Sequence, residues 1–218
     1  AHVLAALVER TGVDPAEVED VVFGCLDAVG PQAADVARTC WLAAGLPETV
    51  PGVTIDRQCG SSQQALHFAA QGVMSGTQDI VVAGGVQNMS MIPISYSLSC
   101  TKALGFDSPY AGSKGWQARY GDAMISQFTG AEMIAKEWQI TRADMEAYAL
   151  QSHERAVAAI DDGAFKQEIE PFEDIIHDEG PRRGTSLEKM ATLIVMAPGG
   201  RMTAAVASQI SDGSAALL

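Results

Sequence analysis

The spacing of apolar residues in the first half of the chain predicts two strands joined by a helix. Residues 50–55 are a β-branched run interrupted by Pro51, and residues 80–85 are a fully apolar run, which is typical of a strand buried in a sheet covered on both faces. Between them, residues 63–73 carry apolar side chains at helical spacing, and Gly76 ends that pattern. A right-handed βαβ crossover is therefore expected.

Helical and extended patterns also predict the elements around this unit. Residues 20–24 and 203–210 are predicted to be strands, the second returning to the sheet, whereas residues 92–120 have no clear period. Helical spacing recurs at residues 1–10, 32–44, 128–138 and 142–159, and a short helix is predicted within 186–193. Thr141 and Ser186 are the predicted N-caps of the last two helices, and Asp14 with Pro15 begins a short helical turn.

The composition narrows the class of protein. A chain with 47% apolar and only 19% charged residues has the content of a folded domain with a core. Its net charge of −13 argues against binding to nucleic acid or to an anionic membrane, because their phosphates would repel it. No apolar run reaches the roughly 18 residues that a membrane span needs, and the first residues lack the basic segment of a secretory signal.

Cysteine and histidine placement predicts a cytoplasmic protein with reduced thiols and no metal site. No CxxC or zinc-type spacing occurs among Cys25, Cys40, Cys59 and Cys100. The four histidines, including His67 two helical turns after Cys59, are interpreted as structural or solvated residues. We also expect the chain to be part of a longer one, since it opens without Met on helical spacing and stops in the apolar run 215–218.

Cys59 lies where a predicted strand ends and a predicted helix begins. The amide groups and the dipole at a helix start stabilise a thiolate and raise its reactivity. The small residues Gly60, Ser61 and Ser62 let a ligand approach, and their amides are candidate donors to a thioester oxygen. Most single cysteines in apolar surroundings are inert core residues, so the spacing alone leaves both interpretations open.

Five segments resemble the thiolase family, in that family's order and rough spacing. The most specific is residues 53–65, Val-Thr-Ile-Asp-Arg-Gln-Cys-Gly-Ser-Ser-Gln-Gln-Ala, followed by residues 80–90, Ile-Val-Val-Ala-Gly-Gly-Val-Gln-Asn-Met-Ser. The others are residues 130–135, residues 178–182 with 186–190, and residues 203–213. The phrases at 87–95 and 207–213 look most like actinobacterial thiolases of steroid side-chain degradation, which implies a bulky substrate.

The resemblance implies that Cys59 becomes acylated and that coenzyme A then attacks or departs. Coenzyme A would be a substrate, with no tightly bound cofactor. Arg182 matches an arginine near the adenine of coenzyme A, and Ser208 with Ala204 matches the segment beside the pantetheine arm. The alternative for Arg182 is a solvated charge beside Arg183, and for Ser208 an ordinary strand serine.

This sequence also departs from the family pattern. Ser126 and Gln127 stand where members often have His-Met, so Gln127 is assigned to the coenzyme A and acyl site with an altered wall. Val206 replaces a frequent Asn, and Gln209 replaces a frequent Gly. The Gly-His-Pro and Cys-x-Gly motifs, which supply the base and the proton-handling cysteine of thiolases, do not occur in residues 1–218.

The fold implied is the α/β thiolase fold, with a βαβ-type N-terminal half and no C-terminal half in this sequence. Residues 1–90 would be the first part of the N-terminal domain, residues 91–203 an inserted loop domain, and residues 204–218 the return to the first domain. A homodimer or homotetramer is implied.

The favoured function is thiolytic cleavage of a 3-oxoacyl-CoA through an acyl-cysteine. Two alternatives stay open at this point. One is a biosynthetic thiolase that condenses acyl groups to an acetoacetyl-CoA-type product. The other is a non-catalytic thiolase-like subunit, which the missing base motifs favour.

Overall fold

The computed structural model describes residues 1–123 and 125–218. These divide into two compact units. The first consists of Ala1–Ala111 with Ile210–Leu218, and the second consists of Gly112–Gln209.

Four strands and eight α-helices are found among the described residues. The strands are β1 (Asp20–Gly24), β2 (Gly52–Ile55), β3 (Val81–Asn88) and β4 (Asp212–Leu217). The helices are α1 (His2–Thr11), α2 (Val36–Ala43), α3 (Ser61–Ser75), α4 (Tyr96–Ser99), α5 (Lys114–Tyr120), α6 (Gln127–Glu137), α7 (Arg142–Asp161) and α8 (Leu187–Ala191). Short 3₁₀ turns occur at Pro15–Glu17, Gly30–Gln32 and Cys100–Leu104.

The first unit is built on one mixed sheet with the strand order β2-β1-β3-β4. Strand β1 pairs in parallel with both β2 and β3, and β4 pairs antiparallel with β3. Helix α3 connects β2 to β3 and crosses over β1, as the predicted βαβ connection requires. The carboxyl-terminal ends of β1 and β3 therefore lie side by side.

Both faces of this sheet are covered by helices. On one face, Val21 and Phe23 of β1 pack with Leu4 of α1 and Trp41 of α2 in a buried cluster. On the other face, Val22 of β1 belongs to a second cluster, in which Val81 and Ala83 of β3 pack with Ala65 and Ala69 of α3. Alternate residues of β1 and β3 thus enter different cores, so residues 21–23 and 81–83 are apolar without alternation.

Hydrogen bonds at the helix starts confirm several predictions. Thr141 accepts from the Asp144 amide and Asp144 reciprocates, which makes a capping box at α7. The side chains of Ser186 and Asp14 cap α8 and the turn at Pro15–Glu17. Helix α2 begins four residues later than predicted, because the Asp35 side chain caps it.

The predicted return strand over residues 203–210 is wrong. Thr203 is fully buried and pairs with Val195 in an isolated bridge, and its carbonyl oxygen accepts from the Val206 amide at 3.1 Å, which turns the chain. The strand that does rejoin the sheet is β4, in the small-residue run that follows. Its residues Ala216 and Leu217 pair with Gly84 and Ala83 of β3.

The boundaries of the two units differ from the predicted domain boundaries at 90/91 and 203/204. The segment before residue 112 belongs with the first unit. The buried carboxylate of Asp27 accepts from the backbone amides of Ser95 and Ser97, each at 2.8 Å, and from the Ser97 hydroxyl at 2.5 Å. These charge-assisted bonds hold the segment to the end of the sheet. An inserted loop domain with the predicted bounds stays a prediction.

Gly24 allows the first turn of α3 to lie directly on β1. A Cβ at Gly24 would overlap the backbone of Ser61 and Ser62. We predict that Gly24→Ala lowers the free energy of unfolding by roughly 1–3 kcal/mol, because the helix start must move off the sheet. The measurement is urea denaturation followed by circular dichroism.

Gly130→Ala is the matched control for this substitution. Gly130 lies inside α6, and a Cβ there would meet nothing within 4 Å. Its replacement should leave stability unchanged or raise it by up to about 1 kcal/mol through helix propensity. Equal effects of the two substitutions would contradict the close contact at Gly24.

Candidate functional site

Cys59 is exposed, in the tight turn that joins β2 to α3. Gly60 is the N-cap of α3, so the cysteine lies one residue before the helix cap, as the sequence predicts. The Asp56 carboxylate accepts from the Gln58 amide at 2.8 Å, and Gln58 itself has a left-handed backbone with φ 48°. An acidic side chain that bonds the amide two residues on is a standard device for fixing such turns.

The Ser61 side chain stabilises this turn through two hydrogen bonds. Its side chain is buried, and its hydroxyl oxygen accepts from the Arg57 amide at 2.9 Å and donates to the Gln58 carbonyl oxygen at 2.5 Å. The Arg57 guanidinium reaches forward and donates to the side-chain oxygen of Gln64 on α3. The residues on both sides of Cys59 are therefore fixed by side-chain bonds, whereas its own side chain is exposed.

Two of the amides expected to donate to a thioester oxygen are already engaged. The Gly60 amide donates to the Arg57 carbonyl oxygen at 3.1 Å, and the Ser61 amide donates to the Gln58 carbonyl oxygen at 3.0 Å. The tight turn uses them because the chain reverses direction there. The first bond of α3 itself runs from the Gln64 amide to the Gly60 carbonyl oxygen, so the Ser62 amide remains the predicted donor.

A cavity of about 350 Å³ opens beside Cys59. Its wall combines the Cys59 turn and the start of α3 with the ends of β1 and β3 and the start of β4. Gly24, Gly85 and Gly213 are among its lining residues, so part of its wall is bare backbone.

Cys25 lines the same cavity, and the sequence-based interpretation gave it no role. It is buried, and its thiol lies 3.5 Å from the Leu26 carbonyl oxygen and 3.8 Å from Gln87 Oε1. Burial raises the pKa of the Cys25 thiol to about 11, so it stays protonated at neutral pH. Its position directly after β1 was the available signal, because neighbouring parallel strands end at the same edge of a sheet.

The other predicted site residues lie in the second unit. Arg182, Ser208 and Ala204 are exposed in loops, and Gln127 is the exposed first residue of α6. The segments that carry Arg182 and Ser208 lie side by side, since the Arg182 guanidinium donates to Gln209 at 3.4 Å. A role in coenzyme A binding stays a prediction for all four residues.

Two searches of the described part of the chain found no candidate, one for groups of metal-binding side chains and one for membrane-spanning helices. Within residues 1–123 and 125–218, no three His, Cys, Asp or Glu side chains are grouped closely enough to hold a metal ion. In the same ranges, no helix has the length and apolar character needed to cross a membrane.

The two cavity thiols are predicted to differ sharply in reactivity. At pH 8 a thiol with a pKa of about 11 is ionised in roughly one molecule in a thousand, and Cys25 is also buried. We therefore expect iodoacetamide at pH 8 to alkylate the exposed Cys59 and to leave Cys25 unmodified, as measured by peptide mass spectrometry. In urea both should react, and equal labelling in the native protein would refute the assignment.

Comparison with known proteins agrees with this architecture. The model of the family "Thiolase, N-terminal domain" matches residues 1–218. A steroid 3-ketoacyl-CoA thiolase of Mycobacterium tuberculosis is 58% identical over 216 residues, which are 97% of this chain and 53% of that protein. A 3-ketoacyl-CoA thiolase of Shewanella loihica is 35% identical over 98% of the chain and 55% of its own length.

A 3-ketoacyl-CoA thiolase of Psychrobacter cryohalolentis is 36% identical over the whole chain and 56% of its own length. The chain thus spans about half the length of the curated relatives that it matches. The family match covers both units and includes the turn that carries Cys59. This chain belongs to the thiolase family and comprises its N-terminal domain.

Proposed function

We propose that the protein is an acyl-CoA C-acyltransferase that cleaves a 3-oxoacyl-CoA by thiolysis, with Cys59 as the nucleophile. The observation that carries the proposal is an exposed cysteine at the start of α3, fixed on both sides by the Ser61 and Arg57 bonds and opening on a cavity. A sulfur in this position is accessible to a thioester and lies in the favourable field of a helix start.

The reaction proceeds in two steps. The Cys59 thiolate attacks the C3 carbonyl carbon, the C2–C3 bond breaks, and the two-carbon fragment takes a proton and leaves as acetyl-CoA. Free coenzyme A, as its thiolate, then attacks the acyl-cysteine, and the shortened acyl-CoA leaves while Cys59 recovers its thiolate. The groups that move these protons are expected from the half of the relatives that this chain does not span.

A comparison of Cys25 with Cys59 supports the assignment of Cys59 as the nucleophile. Both cysteines face one cavity, but burial keeps Cys25 protonated, whereas Cys59 is exposed at the helix start. Only an accessible thiolate attacks a carbonyl carbon efficiently. Cys59 is therefore the residue on which an acyl group would be found.

A steroid side chain is the acyl group that we propose for the substrate. The relative with 58% identity is named a steroid 3-ketoacyl-CoA thiolase, whereas the relatives at 35% and 36% are named 3-ketoacyl-CoA thiolases without that word. The side chain of the steroid, rather than its rings, would enter the cavity beside Cys59. The setting would be lipid and steroid degradation in the cytoplasm.

The coenzyme A part of the substrate is assigned to the second unit. Arg182 would lie near the adenine end, Ser208 and Ala204 near the pantetheine arm, and Gln127 in the altered wall of the coenzyme A and acyl site. A homodimer or homotetramer is the proposed assembly. Thiolysis is preferred to condensation because the named relatives are 3-ketoacyl-CoA thiolases.

Acyl transfer to Cys59 is tested by intact-mass analysis of the complete protein mixed with a 3-oxoacyl-CoA whose acyl group is the side chain of a steroid. We expect a covalent adduct of the acyl mass, because the acyl-cysteine accumulates when free coenzyme A is withheld. Added coenzyme A should remove the adduct and release a shortened acyl-CoA.

Two cysteine variants make this experiment specific. Cys59→Ala should abolish the adduct, whereas Cys100→Ala, which alters a half-buried thiol outside the cavity lining, should retain it. A straight-chain 3-oxoacyl-CoA tests the proposed side-chain preference. An adduct that persists in Cys59→Ala would eliminate the proposed nucleophile, and the absence of any adduct would favour a non-catalytic subunit.

A further inference from the structure

Arg182 is held by hydrogen bonds from two sides within the second unit. Its backbone amide donates to Nδ1 of His153 on α7 at 3.2 Å, and its guanidinium donates to Oε1 of Gln209 at 3.4 Å. Gln209 Nε2 in turn donates to the Gly180 carbonyl oxygen at 2.6 Å. The two segments that carry Arg182 and Ser208 are joined by this network.

The orientation of the Gln209 amide follows from its partners. A guanidinium can only donate and a carbonyl oxygen can only accept, so Oε1 must face Arg182 and Nε2 must face Gly180. Gln209 is half-buried, whereas Arg182 is exposed. The half-buried amide therefore provides an acceptor for the end of a long, exposed side chain.

The neighbouring Arg183 is held in a different way. Its guanidinium donates to both carboxylate oxygens of Asp161, at 2.9 and 2.6 Å. This ion pair raises the pKa of Arg183 and lowers the pKa of Asp161, as expected when each charge stabilises the other. The charge of Arg183 is thus compensated by a carboxylate, whereas the bond from Arg182 goes to the neutral amide of Gln209, which does not neutralise a positive charge.

From this contrast we propose that Gln209 is a positioning residue, which orients Arg182 toward the nucleotide end of the coenzyme A thioester. The inference rests on the proposed function. A neutral acceptor orients the guanidinium plane of Arg182 without neutralising the positive charge of the group. The remaining N–H donors can then face an anionic or planar ligand. Ordering the side chain before the ligand arrives reduces the entropy lost on binding.

The proposed positioning role depends on a residue, Gln209, in which this chain differs from many thiolases. Thiolases frequently have Gly where Gln209 stands, and Gly has no side chain to provide an acceptor. His153 contributes from the other side by fixing the backbone of Arg182, which requires an unprotonated Nδ1. The histidine is thus structural, and its bond orients the residue that Gln209 then holds.

The test compares two thioesters in steady-state kinetics of the complete protein. Gln209→Leu removes both side-chain bonds, and we expect it to raise the KM for the 3-oxoacyl-CoA roughly five- to tenfold with little change in kcat. Acylation of Cys59 by the matching N-acetylcysteamine thioester, which lacks the nucleotide, should be unchanged. Arg183→Gln, the matched control, should leave the KM near its wild-type value.

A double variant separates positioning from a general structural effect. In an Arg182→Gln background, Gln209→Leu should raise the KM no further, because both substitutions remove the same interaction. Additive effects, an unchanged KM in Gln209→Leu, or an equal loss with both thioesters would overturn the inference. If neither thioester acylates Cys59 in the wild-type protein, the proposed function fails instead.

Discussion

The arrangement of the first unit depends on how closely the start of α3 approaches the sheet. Gly24 on β1 and Gly85 on β3 present bare backbone at this point, and a Cβ at either position would overlap Ser61 or Ser62. Because α3 begins directly over the ends of β1 and β3, the turn before it must pass the same edge of the sheet. That turn carries Cys59, whose position is therefore set by the contact between helix and strands.

Two thiols lie at this same edge of the sheet, and they differ in their exposure to solvent. Cys25 follows β1 into the interior, where burial raises its pKa to about 11, whereas Cys59 is exposed in the turn. Both line one cavity, and of the two sulfurs the fold exposes that of Cys59, the one proposed to meet a thioester. Reactivity here is decided by exposure and by the helix start, since the two residues are chemically identical.

In the second unit, hydrogen-bond partners distinguish two adjacent arginines. Arg183 is neutralised by Asp161, and Arg182 is ordered by the neutral Gln209 and by His153. Ordering and neutralisation are separate effects, and a site for an anionic ligand requires the first without the second. The family resemblance proposes Arg182 for the coenzyme A contact, and the partners of the two arginines add a physical difference between Arg182 and its neighbour.

The sequence by itself determined the local elements, because caps and apolar spacing act over a few residues. Thr141, Ser186 and Gly76 end or begin helices where predicted, and the position of Cys59 before α3 was evident from the strand and helix patterns. Only the tertiary structure placed Cys25 beside Cys59 and Gln209 beside Arg182, since these pairs are 34 and 27 residues apart in the chain. It also moved the last strand from 203–210 to β4, because small residues such as Ala215 and Ala216 gain extended structure only by pairing with β3.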